Sequence, residues 1–310
     1  MMKVTHNPRN VKKIKIKTLN NLKISDSTYT MTNCCICLCV YNNQFGLPFV
    51  LNNINKITHL FENLQILVFY DSSTDNSLQI LNEYQNTYKN MDIIVNEGQK
   101  SQHRVENIAF ARNALLGLIR QKYSTYEYFI MMDSNEYSCI GDINPHVITD
   151  ALSRNDWDGI SFDREAGYYD TWAISFDPYI YSFFHFTNWN NVVDMMRIEI
   201  TRLLDDYKLN KPDDLIPVYS AFNGFSIYKT DKFLNCDYSS NINLSLFPMD
   251  IIAKEQELTG CKIISAMGGD CEHRHFHLEA IKKNNARIRI STKYVFSKFK
   301  NPPQNSRGPC

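Results

Sequence analysis

Four short apolar runs, at residues 34–41, 64–70, 91–95 and 127–132, alternate with stretches of helical periodicity. Val50, Leu51, Ile54, Ile57, Leu60 and Phe61 recur at helical spacing after the first run. Leu78, Ile80, Leu81 and Tyr84 do so after the second, and Val105, Ile108, Ala109, Leu115, Leu116 and Ile119 after the third. Short apolar runs bounded by polar residues are buried strands, and strand–helix alternation builds a parallel sheet with helices on both faces. In such a sheet, ligands bind beyond the carboxyl ends of the strands. The spacing therefore predicts an α/β fold whose site residues stand beyond the strand ends, at residues 71–76 and 133–136.

The second half is more mixed. Strands are expected at 158–163, 171–176, 218–228, 262–267 and 288–296, and helices near 145–153, 191–205, 249–259 and 278–285. Residues 1–32 read as a basic, partly ordered arm and 301–310, with three prolines, as a loose tail. Residues 33–300 then form one domain, whose regular half spans 33–137 and whose mixed half spans 138–300.

Hydrophobic residues make up 44% of the 310, enough for a full core. Lys+Arg and Asp+Glu both number 33, which argues against nucleic acid as a partner, since a polyanion surface needs a basic excess. Cys34, Cys35, Cys37 and Cys39 lie in one apolar run without paired knuckles, so they read as small hydrophobes of a buried strand in a reducing compartment. No stretch reaches the roughly 18 apolar residues of a membrane span. The first residues lack the apolar core of a secretory signal or anchor, so a cytoplasmic location is expected.

Tyr128-Phe129-Ile130-Met131-Met132 ends at Asp133-Ser134-Asn135-Glu136. Oxygen ligands at a strand end suit a hard cation, Mn²⁺ or Mg²⁺, held against a diphosphate. Asp71 ends the second run on the same sheet edge, where it can accept from a ribose or base. Asp75 resembles a helix cap. On the helix that follows residues 91–95, Arg112 shares a face with Val105, Ile108 and Ala109, and a cation there needs a partner such as a diphosphate or the Asp133 carboxylate. Tyr168-Tyr169-Asp170-Thr171-Trp172-Ala173 sets aromatic rings beside a carboxylate, the combination that sugar binding requires. Asp270-Cys271-Glu272-His273-Arg274-His275-Phe276-His277 places histidines at alternate positions, so that two share a face of a strand and one completes a metal shell. Tyr219 to Phe225 carries Asn223-Gly224, where glycine marks a close approach by backbone or ligand and Asn223 is placed to face an acceptor.

These segments, in this order, resemble the GT-A glycosyltransferases of the capsule-associated α-1,3-mannosyltransferase type and their relatives in fungi and large viruses. The matching stretches are Val68 to Ser77, Arg104 to Asn113, Tyr128 to Glu136, Tyr168 to Ala173, Val218 to Gly224 and Cys271 to His277. The resemblance implies a GT-A fold, a Rossmann-like, mostly parallel sheet with a mixed acceptor-side subdomain. It also implies Mn²⁺ or Mg²⁺ and transfer from a nucleotide-diphosphate sugar, a UDP-sugar ahead of GDP-mannose, to a glycan or other hydroxyl acceptor. It puts the donor on Val40, Tyr41, Asn42, Asp71, Arg104, Arg112, Asp133, Ser134, Asn135, Tyr169 and Trp172, and the acceptor on Asn223 and Gly224. The metal falls to Asp133, Asn135, Glu136 and His273 or His277, although Asn135 stands where a second aspartate is usual. Asp170, Arg112, Glu272 and Asp250 are the expected catalytic groups, with Asp250 and Glu272 the candidate bases if transfer inverts. Two other readings stay open: a nucleotide- or glycan-binding module of the same fold without turnover, and a metal-dependent phosphodiesterase.

Overall fold

The computed structural model describes residues 32–135, 141–165, 167–180, 189–260 and 269–298. The first half follows the predicted alternation: β1 (Thr32–Val40), α1 (Leu47–Ile57), β2 (Phe61–Asp71), α2 (Ser77–Tyr88), β3 (Met91–Asn96), α3 (Arg104–Lys122) and β4 (Tyr128–Asp133). The second half contributes α4 (Pro145–Leu152), β5 (Gly159–Asp163), α5 (Trp189–Asn210), β6 (Ile216–Val218), β7 (Phe225–Lys229), the single turn α6 (Thr230–Phe233), α7 (Met249–Thr259), α8 (Glu272–Asn284) and β8 (Ile288–Tyr294).

All eight strands form one sheet in the order β3-β2-β1-β4-β7-β5-β8-β6. β1 pairs in parallel with β2 and β4, β2 with β3, and β5 with β8. β7 runs antiparallel to both β4 and β5, so β4 and β5 point the same way. The carboxyl ends of β1, β2, β3, β4, β5 and β8 therefore share one edge, and the start of β7 joins them there. Register fixes the details: Cys39 lies opposite Asp133 and Asp71 opposite Asn96.

β1 is buried on both faces, as a central parallel strand must be. Cys35 and Cys37 pack into a core with Leu67, Phe69, Phe129 and Met131 of the sheet, Leu115 and Ile119 of α3, and Phe276 of α8. The alternate residues, Cys34, Ile36 and Leu38, are equally buried. The cysteines are free and burial raises their thiol pKa values, so they serve as apolar packing.

Three expectations change. Residues 218–228 do not form one strand: Asn223 (φ 54°) and Gly224 (φ 86°) turn the chain between β6 and β7. Consecutive left-handed residues cannot continue a strand, and glycine tolerates that conformation at little cost. Residues 171–176 form a turn with only isolated bridges, Ser175 to Ser220 and Phe176 to Tyr179. The histidine run is not a strand but the first two turns of α8, which starts at Glu272 rather than near 278. Its buried face is polar (Glu272, His273, Arg274 and His277), so an apolar pattern could not reveal it. The expected strand at 262–267 lies outside the described residues.

Candidate active site

Two carboxylates, Asp133 and Glu272, meet one guanidinium at the carboxyl edge. Arg112 of α3 is 5% exposed and donates to Asp133 Oδ1 at 3.1 Å. Its other terminal nitrogen contacts Glu272 Oε1 and His273 Nε2 on α8. The guanidinium also lies over the Phe222 ring, 4.6 Å from its centroid, and the same ring stacks on His273 at 3.8 Å. A buried arginine is tolerable only with such pairing. Of the two partners that the sequence leaves open for Arg112, a diphosphate or the Asp133 carboxylate, the structure shows the carboxylate.

His273 accepts from Arg112 through Nε2, which leaves the proton on Nδ1. Burial, followed by the charge of Arg112, pushes its pKa well down, so the ring is neutral. His277, one turn on, bonds through both nitrogens: Nδ1 to Ser220 Oγ at 2.9 Å and Nε2 to the Tyr228 hydroxyl at 3.0 Å. Neither nitrogen is left for a cation. The expected metal role of His277 is corrected to a buried brace between α8 and the two segments that bound the Asn223–Gly224 turn.

The Tyr169–Trp172 segment closes the site. Tyr169 donates its hydroxyl to Asp133 Oδ2 at 3.3 Å. The side-chain oxygen of Asn223 accepts from the backbone N–H of Tyr169 at 3.2 Å and of Asp170 at 3.4 Å, while its amide donates to Phe162 O. The Gly224 carbonyl accepts from the Asp133 N–H at 2.9 Å. Asn223 and Gly224 thus tie the Tyr169–Asp170 segment to the ends of β4 and β5. Asp170 Oδ1 accepts from Ala173 N–H at 3.2 Å. Burial, then the nearby Asp133 charge, pushes the half-buried Asp170 carboxyl up to about 7. Arg274 of α8, fully buried, donates to the carbonyls of Trp172 and Ile174, to Ser175 Oγ and to Asp270, and so pins this segment to α8.

A second group of residues stands over β1, β2 and β3. Asp71 accepts from Asn96 Nδ2 at 2.9 Å and pairs with Lys100 at 3.2 Å. Lys100 Nζ also lies 3.7 Å from the centroid of the exposed Tyr41 ring. A cavity of ≈ 370 Å³ beside them is lined in part by Phe69, Asp71, Asn96, Glu106, Asn107 and Phe110. Asn42, left-handed at φ 46°, binds Ser73 and Thr74, which joins the loops after β1 and β2. Asp75 accepts from Ser77 and Gln44 N–H, but the N-cap of α2 is Asn76, so the expected cap lies one residue before the cap position. Val40 is buried at the end of β1, and Arg104 is exposed at the start of α3. Ser134 is buried and donates to the Cys39 carbonyl at 2.6 Å, with half-buried Asn135 after it. Glu136 lies outside the described residues.

Asp250 does not join the carboxylates. It is exposed in the first turn of α7, where its electrostatic neighbours are Tyr219 and Lys254. Sequence reasoning missed Lys100, Phe222, Arg274 and Tyr238, whose ring centroid lies 5.7 Å from the Arg112 guanidinium. Lys100 had a signal, a cation just beyond the third apolar run; the others are distant aromatics and a buried arginine that only the fold brings together.

Among the described residues, no three His, Cys, Asp or Glu side chains form a metal-holding group. A cation bound with a diphosphate needs only one or two protein carboxylates, the phosphates and water supplying the rest. Asp133, with its side chain 21% exposed at the edge, fits that need and His277 does not. The excess of carboxylate over guanidinium here also favours an added cation.

Residues 35–137 match the family described as Glycosyl transferase family 2. No curated protein matches the chain. Among solved structures, residues 1–349 of S. aureus TarS in complex with UDP-GlcNAc align at 15% identity and a TM-score of 0.47, covering 90% of this chain and 61% of that one. The mannosyltransferase PcManGT from Pyrobaculum calidifontis, in complex with GDP-Man and Mn²⁺, aligns at 11% identity and a TM-score of 0.43, covering 88% and 61%. This chain thus spans about three-fifths of the length of those structures. No described helix is long and apolar enough to cross a membrane. The enzyme class that the family match supports is a glycosyltransferase, and the matched segment, about a third of the chain, carries Asp71, Arg112 and Asp133.

Proposed function

We propose that this chain transfers a sugar from a nucleotide-diphosphate sugar to a hydroxyl acceptor, with inversion at the anomeric carbon. The observation that carries the reading is the meeting of Arg112, Asp133, Tyr169 and Asp170 at the carboxyl edge, within and beside the family-matched segment. The nucleoside lies over β1 and β2, where the Tyr41 ring and the Asp71 carboxylate flank Lys100. The diphosphate reaches Asp133.

Asp170 is the base. Its pKa of about 7 leaves it ionised in useful amount at neutral pH and still basic enough to take the acceptor proton. Glu272 is less suited, because its carboxylate is committed to Arg112. Arg112 stabilises the charge that develops on the leaving diphosphate, and Glu272 and the neutral His273 hold it in place. When a divalent cation is bound, Asp133 and the Asn135 amide oxygen would hold it, and it supplies positive charge to the same leaving group.

The test is release of nucleoside diphosphate from a panel of UDP- and GDP-sugars with Mn²⁺ present. Turnover that disappears in Asp133→Ala and Asp170→Asn supports the proposal. Nucleotide binding without turnover under every donor and acceptor would favour a binding module, and cleavage of simple phosphodiesters would favour the phosphodiesterase reading.

A further inference from the structure

Arg164 follows the last residue of β5 and is 8% exposed. A guanidinium buried to that degree needs a counter-charge. Among the described residues it has none. The nearest carboxylate in sequence, Asp163, gives its Oδ2 to Lys208 at 2.8 Å, its buried Oδ1 makes no hydrogen bond, and no ion pair joins it to Arg164. Glu165 is exposed and accepts from the backbone N–H of Lys298. Arg164 Nε is buried without a hydrogen-bond partner. The guanidinium instead faces the Tyr169 ring, 5.2 Å from its centroid, and the hydroxyl of that same ring bonds Asp133.

The place of this cation in the sheet limits what it can bind. β4 and β5 run the same way with β7 between them. Adjacent strands are about 4.8 Å apart, so the ends of β4 and β5 are separated by about 10 Å. The Tyr41–Asp71 group lies on the other side of Asp133, over β1 and β2. An anion held by Arg164 is therefore across the reaction centre from the nucleoside, on the side where the acceptor must enter.

We infer that Arg164, backed by the Tyr169 ring, binds an anionic group, a phosphate or carboxylate, carried by the acceptor. The ring supplies one face of the guanidinium, and the anion takes its terminal nitrogens. The assignment to the acceptor rests on the proposed nucleotide-sugar chemistry; the assignment of an anion to Arg164 does not.

The test is titration of the full chain with inorganic phosphate and with the matched pair glucose and glucose 6-phosphate, at constant ionic strength, followed by thermal shift. Phosphate and glucose 6-phosphate are expected to raise Tm and glucose is not. Arg164→Gln should weaken both anions at least tenfold, and Arg164→Lys should recover part of the loss; circular dichroism reports whether each variant is folded. Equal responses in wild type and Arg164→Gln, or no response to either anion, would overturn the inference. Should Arg164→Gln not fold, Tyr169→Leu, which removes the ring behind the guanidinium, should weaken the anions and an unchanged response would count against the site. Repeating the titration with saturating UDP or GDP locates the anion. Phosphate that still binds lies on the acceptor side, whereas phosphate that is displaced belongs to the donor and overturns that assignment. If neither nucleotide binds, the nucleotide-sugar reading and with it the acceptor assignment fail, while the anion titration still decides the role of Arg164.

Discussion

Arg112 and Asp133 stand on different elements, α3 and β4, yet the guanidinium donates to Oδ1 of the carboxylate at 3.1 Å while its other terminal nitrogen contacts Glu272. One buried cation thus links the strand end that carries Asp133 to the helix that anchors the Tyr169–Trp172 segment. Removing it leaves Glu272 buried, at 4% exposure, without its charge partner. Arg112→Met is expected to destabilise by about 3–5 kcal/mol, the range for breaking a buried pair from one side. Chemical denaturation checks this, and Arg112→Met with Glu272→Gln should regain part of the loss.

The Asp170 carboxyl, at about 7, sets a pH profile. With the ionised form as the proposed base, kcat/KM should fall about tenfold per pH unit below 7 and level off above it. Asp170→Asn should lose about 10²-fold or more.

The same shift has a consequence for stability with the opposite sense. A carboxyl whose pKa is raised on folding binds its proton more tightly in the native state. Its contribution is favourable at low pH and is lost as pH rises through about 7. Asp170→Asn should therefore have the higher Tm at pH 8, and its advantage should vanish toward pH 4; thermal scans across that range check it.

His277 and Asp133 should separate structural from metal roles. His277→Gln breaks the bonds to Ser220 and Tyr228 and should cost about 1–3 kcal/mol, as buried polar groups lose their partners. It should leave the Mn²⁺ dependence of nucleotide affinity as in the wild type. Asp133→Asn should remove that dependence, measured by calorimetry with and without Mn²⁺.

Asn223 holds the backbone of Tyr169 and Asp170 from a left-handed position. Asn223→Ala frees that backbone, and misplacement of a catalytic group by a fraction of an ångström should lower kcat by about tenfold or more. Steady-state kinetics should show the larger effect in kcat than in KM.

The alternation of apolar runs made the parallel half legible, down to the strand ends that carry Asp71 and Asp133. The helical face of Arg112 was legible because a cation among Val105, Ile108 and Ala109 demands a partner. α8 was not, since its buried face carries Glu272, His273, Arg274 and His277, and polar residues that pair inside a core look like exposed ones in a sequence. The break between β6 and β7 was hidden for another reason. Asn223 and Gly224 sit within an otherwise strand-like run, and only their left-handed backbone reveals the turn. Asp250 was misplaced because a carboxylate on an amphipathic helix gives no sign of which way it faces.

The most direct test of the account is a titration of UDP and GDP with Mn²⁺, read by calorimetry on the wild type, Asp71→Ala and Asp133→Ala. The account predicts that at least one nucleotide binds the wild type and that each variant weakens it at least tenfold. Failure of both nucleotides to bind, or binding that is unchanged in both variants, would contradict a donor site at the ends of β2 and β4.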